Sequence, residues 1–279
     1  MNIEIDYDKC IKCGLCSKVC GSSSIEIDAA ADGRPIQKYP LICNDCGHCV
    51  AVCPVNAVVN KRMDMSQFKD IADPEIEYEQ YLKLVRNRRS IRIFKDRPLT
   101  DEHIEKLLGS VRYIPTGSNE QSLKYMIITN PEKLEEIKEF MARKFRLATN
   151  LVKTLGRLFV SKDDRESLGR HDELLEKGED PYLRGAPCLL VIYADQSYFG
   201  ITAWDAGIAS YNLDLAAQTL GIGAMMNGFF VVVSKLFGKL KRIAQVPKGH
   251  KVYAAMVLGY PNINYKRTIA RLPLDARKI

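Results

Sequence analysis

Two runs of cysteines constrain this chain more than any other feature of its sequence. Eight of its nine cysteines lie in two copies of the spacing C-x2-C-x2-C-x3-C, and the second copy follows the first at an offset of 33 residues. Thiolates are soft ligands, and four at this spacing can wrap a compact loop around an iron centre. The pattern therefore predicts two 4Fe-4S clusters. Their ligands would be Cys10, Cys13, Cys16, Cys20, Cys43, Cys46, Cys49 and Cys53, the last of which precedes Pro54.

A zinc site and a disulfide scaffold are the competing interpretations of these cysteines. Zinc needs only four ligands in pairs of C-x2-C, and it would leave the third and fourth cysteine of each run without a role. Disulfides form in oxidising compartments, whereas residues 1–10 contain no apolar targeting core. Because clusters and free thiolates need reducing surroundings, we expect the protein in the cytoplasm.

The fourth cysteine of each run is expected to bind the cluster of the other run. The first cluster is then held by Cys10, Cys13, Cys16 and Cys53, and the second by Cys43, Cys46, Cys49 and Cys20. Both runs resemble those of the bacterial two-cluster ferredoxins. That family usually has proline after the fourth cysteine, where the first run has Gly21. This departure removes no ligand.

Length and composition allow a small module plus one domain of ordinary size. Of the 279 residues, 46% are hydrophobic and 27% are charged, as in soluble globular proteins. The best apolar run, residues 229–233, is far shorter than the roughly 20 residues of a membrane helix, so we expect no membrane partner. The net charge of +7 suits an anionic cofactor, an acidic redox partner or a nucleic acid, and does not choose among them.

The sequence changes character twice along its length. Residues 1–60 form the predicted ferredoxin-like domain, and residues 61–78 are interpreted as a linker, because they mix charges with a proline and lack sustained periodicity. Residues 79–279 alternate helical and extended patterns, which indicates an α+β layered domain. We expect strands at 124–129, 188–194 and 251–258, and helices after Thr100, from Pro131 to about Met141, from about Ile201 to a cap at Gly221, and after Ser234.

Residues 143–184 are the least regular part of this second domain. Residues 143–162 are basic and loosely amphipathic. They fit a helix packed on its own domain or a mobile lid, and a helix on a membrane surface is the rarer alternative.

A second chemical signature is the run R-R-S-I-R-I-F at residues 88–94. Its three guanidinium groups and one hydroxyl can bind a phosphate through charge-assisted hydrogen bonds, and still leave one cation for the electron-rich edge of a flavin. Taken alone, the run is equally compatible with a solvated basic face or a nucleic-acid patch.

Four later motifs decide between these alternatives. The basic run is followed in order by P-T-G-S-N-E-Q at 115–121, G-I-G at 221–223, G-Y-P at 259–261 and R-L-P at 271–273. Together they resemble the nitroreductase-like family of FMN flavoproteins over about residues 79–279. The resemblance implies a nitroreductase-like layered α/β domain, an FMN-dependent oxidoreductase activity and no nucleic-acid partner.

The resemblance also implies roles for individual residues at the FMN phosphate and ribityl chain. Arg88 and Ser90 match phosphate-binding positions, with Arg89 beside them. Arg92 matches a basic residue near the ribityl chain and the pyrimidine ring, and Arg271 matches a C-terminal phosphate ligand.

Two further segments of the resemblance concern the flavin ring. One matches a stretch that reaches the flavin of the other subunit, which implies a homodimer; it contains Pro115, Thr116, Gly117 and Asn119. The other matches the backbone along the isoalloxazine ring, where a backbone N–H can bond flavin N5; it contains Met225, Met226, Asn227 and Gly228.

Two departures from that family bear on packing and on the electron donor. Ser122 and Leu123 replace a frequent Pro-Trp pair. The chain also lacks a glycine-rich nicotinamide fingerprint, because the G-I-G motif closes a helix instead of opening one after a strand. The family does not need that fingerprint, so NAD(P)H stays possible as a donor.

We therefore expect an iron–sulfur flavoprotein that passes electrons from reduced ferredoxin or NAD(P)H through two clusters to FMN. A small organic acceptor of the nitroaromatic, quinone or enone type would then be reduced at the flavin. The alternatives are a non-catalytic relay between protein partners, and a reductive enzyme dedicated to one metabolite. The sequence identifies no side chain as the proton donor.

Overall fold

The computed structural model describes residues 1–30, 32–155, 161–195 and 201–278, which fall into two units. The first unit comprises Met1–Glu75 together with Thr116–Gln121, and the second comprises Ile76–Pro115 and Ser122–Ile279. The first unit therefore extends beyond residue 60, into the segment predicted as a linker. The physical reason is packing, because Met65 and Phe68 lie against the core of the first unit.

The first unit contains two short antiparallel strand pairs and two one-turn helices. Strand β1 pairs with β4, and β2 pairs with β3. In chain order the elements are β1 (Ile3–Ile5), α1 (Leu15–Lys18), β2 (Ile25–Asp28), β3 (Arg34–Gln37), α2 (His48–Ala51) and β4 (Val58–Asn60), with 3₁₀ turns at Pro40–Ile42 and Met65–Gln67. Its small core includes two of the cysteines, Cys16 and Cys49, among Ile3, Ile25, Val50 and Val58.

The backbone of the first unit repeats at the same offset as its cysteines. Three pairs of residues in the left-handed region are each separated by 33 positions: Lys12 and Asp45, Gly14 and Gly47, Ser23 and Asn56. Helices α1 and α2 begin at the same offset, directly after the two glycines. The two cysteine runs therefore adopt the same local conformation, as their shared spacing predicts.

The second unit is built on a four-stranded sheet in the order β5-β6-β8-β7, with every neighbouring pair antiparallel. Its strands are β5 (Lys124–Ile128), β6 (Cys188–Asp195), β7 (Gly223–Met226) and β8 (His250–Gly259). Its helices are α3 (Tyr78–Asn87), α4 (Asp101–Ser110), α5 (Pro131–Leu155), α6 (Lys162–Glu176), α7 (Thr202–Thr219), α8 (Gly228–Leu236) and α9 (Gly238–Ile243). The predicted α+β class is confirmed.

Strand β6 is buried on both faces because helices cover both sides of the sheet. Leu189 and Val191 face one core, which includes residues of α5, α8 and α9. Leu190 and Ile192 face the other, which includes residues of α4 and α7. This explains why the strand is a continuous apolar run instead of an alternating one.

Several local predictions can be compared with these elements. Thr100 caps α4, since its Oγ1 accepts a hydrogen bond from the His103 N–H at 3.3 Å, and Gly221 follows α7 in the left-handed region with φ of 69°. The helix predicted to end near Met141 continues to Leu155. The prediction of a helix capped by Ser234 is wrong, because that residue lies inside α8, whose cap is Asn227.

The irregular segment 143–184 is mostly helical. It contains the end of α5 and the whole of α6, while residues 156–160 lie outside the described part of the chain. Phe145 and Leu175 pack against one of the cores, which agrees with a helix packed on its own domain. Among the described residues, no helix is both long enough and apolar enough to cross a membrane.

Candidate functional site

Each unit contains a candidate site for a cofactor. The candidate site of the first unit is formed by its cysteines. One cavity is lined by three cysteines of the first run and one of the second: Cys10, Cys13, Cys16 and Cys53. A separate cavity is lined by three cysteines of the second run and one of the first: Cys43, Cys46, Cys49 and Cys20. The structure thus brings together the same two sets of four that the sequence predicted for two crossed clusters.

The spacing of these thiols favours clusters over single ions. In the described part of the chain, no three His, Cys, Asp or Glu side chains converge closely enough to hold one metal ion. A 4Fe-4S cluster binds each thiolate to a different iron, so its ligands surround a larger centre than one zinc ion. Two cavities with four sulfurs each fit that donor set.

The fourth cysteine of each run accepts a backbone hydrogen bond. The N–H of Ser24 donates to Cys20 Sγ, and the N–H of Ala57 donates to Cys53 Sγ, both at 3.2 Å. Burial raises the pKa of the Cys20 thiol, but hydrogen bonds from Ile25, Ser22 and Ser24 together lower it by more than burial raises it. The pKa of Cys20 therefore lies below the ordinary value. Such donors stabilise the thiolate that binds iron.

The third cysteine of the second run is in a different environment. Burial, with a smaller contribution from Cys46, raises the pKa of Cys49 to about 11. Burial also raises the pKa of Cys16, its counterpart in the first run. Iron must therefore displace a proton from these two thiols, and binding of the metal is linked to release of protons.

The backbone between Cys43 and Cys46 is held by hydrogen bonds from two directions. Asn60 Nδ2 donates to Asp45 Oδ1 at 3.0 Å, and Arg62 Nη2 donates to the Cys43 carbonyl at 3.2 Å and also pairs with the Asp45 carboxylate. On the other side, Asn119 Nδ2 donates to the carbonyl oxygens of Asn44 and Asp45 at 3.1 and 3.0 Å. The sequence analysis did not anticipate this contact of Asn119.

Three residues predicted to reach a flavin therefore fold with the first unit. Thr116, Gly117 and Asn119 belong to it, whereas Pro115 belongs to the second unit. The Asn119 N–H donates to the Thr116 carbonyl at 3.0 Å, which closes the turn.

The second unit carries the basic run, whose first arginine is paired inside the protein. Arg88 Nη1 lies 2.9 Å from Asp214 Oδ2, and the Asp214 side chain is only 4% exposed. Burial raises the pKa of Asp214, and the hydrogen bond and charge of Arg88 only partly offset this. Removing Arg88 would leave the buried Asp214 carboxylate unpaired, so the pair orders α7 against the start of the basic run.

A cavity of about 490 Å³ in the second unit is lined by Arg89, Lys266 and Arg267 together with residues 221–224. Arg89 Nη1 donates to the Arg86 and Arg88 carbonyls at 2.7 and 2.6 Å, and Nη2 donates to the Arg267 carbonyl at 3.0 Å. Its Nε is buried, with no hydrogen-bond partner in the described part of the chain. A phosphate would supply the missing acceptor and match the three positive charges.

The sequence analysis missed two of these cations, Lys266 and Arg267. Both lie in the basic stretch K-R-T-I-A-R at 266–271, which could have indicated them as phosphate-binding residues. The sequence analysis named only the last residue of that stretch, Arg271. Arg271 itself is exposed and does not line the cavity. Ser90 forms a parallel bridge with Ala224, and Arg92 Nη1 donates to the Ser90 carbonyl at 3.3 Å.

The corner between β7 and α8 is formed by the four residues predicted to follow the flavin ring. Asn227 is buried and fixes the corner: its N–H donates to Ala255 at 2.7 Å, its Nδ2 donates to the Tyr182 carbonyl at 3.0 Å, and its Oδ1 accepts from the Phe230 N–H at 3.0 Å. Its own N–H is therefore engaged. Gly228 opens α8, and the first N–H groups of a helix have no acceptor within the helix, so Gly228 is the better candidate donor.

An aromatic group that the sequence analysis did not recognise lies next to this corner. Phe145 stacks on Tyr182 with ring centroids 4.9 Å apart, and Phe229 meets the ring of His171 edge-on at 5.0 Å. The Tyr182 hydroxyl and His171 Nδ1 are buried without a hydrogen-bond partner among the described residues. Burial lowers the pKa of His171 and raises that of Tyr182, so both are neutral near pH 7. The group is a packed apolar, aromatic cluster with two polar atoms, in which Tyr182 is fully buried and Phe229 is 40% exposed.

Comparison with known proteins agrees with two kinds of site in one chain. The nitroreductase family matches residues 85–260, and a 4Fe-4S dicluster domain matches residues 9–57. An FMN reductase (NADPH) from Bacillus subtilis is 27% identical over 197 residues, which cover 70% of this chain and 71% of that protein. A ferredoxin from Pyrobaculum islandicum is 41% identical over 56 residues, 20% of this chain and 50% of that protein.

The fold of the larger part also occurs among solved structures. A nitroreductase with bound FMN from Desulfitobacterium hafniense matches with a TM-score of 0.55 at 22% identity, covering 68% of this chain and 93% of that one. At this identity the likeness concerns the fold.

Proposed function

We propose a path for electrons through this chain, which belongs to the nitroreductase family and is an FMN-dependent oxidoreductase. Electrons reach its FMN through two 4Fe-4S clusters and pass from the FMN to a small organic acceptor. The observation that carries the proposal is the presence of a nitroreductase domain and a 4Fe-4S dicluster domain in one chain. The link makes transfer between cofactors effectively intramolecular.

The cysteines are proposed to hold the clusters in the crossed arrangement. Support comes from the two four-sulfur cavities and from the N–H donors at Cys20 and Cys53. The clusters, when bound, supply one-electron transfer. The thiols are buried or half-buried except for Cys13, so the chain shields the clusters from much of the solvent.

The second unit is proposed to bind FMN through its cations and the β7–α8 corner. Arg89, Lys266 and Arg267 line the cavity that suits the phosphate, and Ser90, Arg92 and Arg271 remain candidates from the resemblance. Arg88 would act mainly by ordering this region through Asp214. FMN, when bound, supplies hydride or two-electron chemistry.

The acceptor is proposed to be a flat organic molecule of the nitroaromatic, quinone or enone type. The exposed ring of Phe229, which packs on Phe145 and His171, supports this, because flat rings pack well on aromatic faces. No side chain is assigned as proton donor, and solvent can serve. A relay between protein partners is the alternative; exposed apolar residues beside the cysteine loops, Ile11 and Leu41, would suit a docking protein.

A homodimer is proposed to complete the flavin site. Helix α7 exposes an apolar stripe of Trp204, Ile208 and Tyr211 on the side opposite its buried residues, and Trp204 is 77% exposed. A stripe of this kind usually marks an interface, and a second copy is the occupant that the resemblance implies. Trp204→Glu should shift sedimentation from dimer to monomer and release FMN, whereas the control Ile71→Glu, at an exposed residue of the first unit, should change neither.

Anaerobic turnover separates the proposed enzyme from the relay. With reduced ferredoxin or NADPH supplied in turn, the purified protein should reduce a nitroaromatic or quinone over many cycles. Cys46→Ser should abolish turnover from reduced ferredoxin and leave reduction of FMN by dithionite intact. Stoichiometric oxidation of the protein without repeated turnover would favour the relay. The reducing conditions that the clusters require make the cytoplasm the proposed location.

A further inference from the structure

The segment Thr116–Gln121 is unusual because it interrupts the sequence of the second unit yet folds as part of the first. Asn119 makes the attachment through its two hydrogen bonds to the Asn44 and Asp45 carbonyls. Asn44 and Asp45 are the two residues between Cys43 and Cys46. The segment is therefore bound to the backbone that presents two ligands of the proposed second cluster.

The backbone angles and internal hydrogen bonds of the segment hold Asn119 in the orientation of this contact. Ser118, Asn119 and Gln121 all have left-handed backbone angles, with φ of 51°, 55° and 47°. Non-glycine residues seldom adopt this region, so other interactions must hold them there. The Gln121 N–H donates to Thr116 Oγ1 at 3.1 Å, and Gln121 Nε2 donates to Asn119 Oδ1 at 3.2 Å. The second bond fixes the orientation of the Asn119 amide, so that its Nδ2 faces the two carbonyls.

The hydrogen bonds of Asn119 can affect the potential of the second cluster. The potential of a cluster depends on the hydrogen bonds to its sulfurs and on its exposure to solvent, and both depend on how the loop backbone is held. The carbonyls of Cys43, Asn44 and Asp45 all accept hydrogen bonds, two of which come from Asn119. In the first run the residue that corresponds to Asp45 is Lys12, which pairs with Asp32.

We infer that Asn119 is a positioning residue for the second cluster, and that its hydrogen bonds to the loop backbone affect the potential of that cluster but not of the first. The inference rests on the proposed function, because it takes Cys43, Cys46, Cys49 and Cys20 as the ligands of that cluster.

The test is an anaerobic redox titration of the protein, with the reduced clusters followed by electron paramagnetic resonance. Asn119→Asp keeps the size and the left-handed preference of the residue but replaces the donor with a carboxylate facing two carbonyls. It should lower the reduced fraction of the second cluster roughly tenfold at a fixed potential, and Asn119→Gly, which removes the amide alone, roughly threefold. The second cluster is identified as the signal that Cys46→Ser removes.

A matched control is Asn44→Ala, which keeps the carbonyl that Asn119 binds and should leave both signals unmoved. In Asn119→Asp the first signal should stay in place. No shift of the second signal in that variant, equal shifts of both signals, or a shift of the first alone would overturn the inference. Fewer than two clusters in the unaltered protein would instead overturn the proposed function, and the inference with it.

Discussion

The two copies of the cysteine repeat have the same backbone but different surroundings. In both, a left-handed glycine precedes a one-turn helix, and the fourth cysteine accepts an N–H bond from the residue four positions later. In the first copy, Lys12 pairs with the exposed carboxylate of Asp32. In the second, Asp45 occupies the equivalent position and is bound by Asn60, Arg62 and Asn119. The repeat gives its two sets of cysteines the same backbone, and residues outside the repeat make their surroundings unequal.

The largest expected effect comes from removing the cysteine that each copy of the repeat is predicted to contribute to the other copy's cluster. Because Cys20 lines the cavity of the second run, Cys20→Ala should remove the second cluster and reduce the iron content from about eight to about four atoms per chain. Cys53→Ala should remove the first cluster in the same way. Iron analysis and electron paramagnetic resonance of anaerobic protein would measure both losses.

The identity of the lost signal is the informative part of that experiment. Cys20→Ala and Cys13→Ala should eliminate different signals, although both residues belong to the first run. If they eliminated the same signal, the ligands would not cross between the runs, and the comparison of two interlocked copies would fail.

A smaller effect should distinguish the two glycines that precede the helices. Gly14 and Gly47 have nearly equal φ of 73° and 74°, so alanine at either position incurs the left-handed penalty of about 1 kcal/mol. A methyl group at Gly47 would also lie 3.1 Å from the Phe68 ring, whereas at Gly14 the nearest atom is at 3.8 Å. We expect Gly47→Ala to lower the free energy of unfolding by about 2–3 kcal/mol and Gly14→Ala by about 1–2 kcal/mol.

Denaturant titration of the anaerobic protein, with cluster absorbance as the signal, would measure this pair. Equal losses for the two variants would mean that Phe68 moves aside freely. The ring would then not be a fixed part of the first unit, and its packing would give no reason for the boundary beyond residue 60.

The sequence was sufficient to predict features that depend on residues close together in the chain. The grouping of the cysteines around two cavities could be predicted because all eight residues lie within two short runs of the same spacing. The cap at Thr100 and the end of α7 at Gly221 were predictable for the same reason, since each depends on a few neighbouring residues.

Sequence was insufficient where distant segments meet. The bond from Asn119 to Asn44 joins residues 75 positions apart, and the pair of Arg88 and Asp214 joins residues 126 positions apart. No periodicity or spacing encodes such contacts. Strand β7 was missed because it has only four residues and begins with a glycine, and its place in the sheet depends on pairing with β8.

The smallest expected difference concerns the residues that support each loop. Asn60 is 1% exposed; its Nδ2 donates to Asp45 Oδ1 at 3.0 Å, and its Oδ1 accepts from the Arg62 N–H at 3.0 Å. Asn60→Ala removes both bonds of a buried side chain, which should cost about 1–2 kcal/mol and destabilise the second cluster first. The counterpart in the first copy, Asp32→Ala, removes a solvent-exposed carboxylate and should change the stability of neither cluster measurably. Rates of cluster loss in dilute denaturant would compare the two variants. If Asp32→Ala released the first cluster as fast as Asn60→Ala released the second, Asp32 and Asn60 would support their loops equally, and the asymmetry would have to come from Arg62 and Asn119.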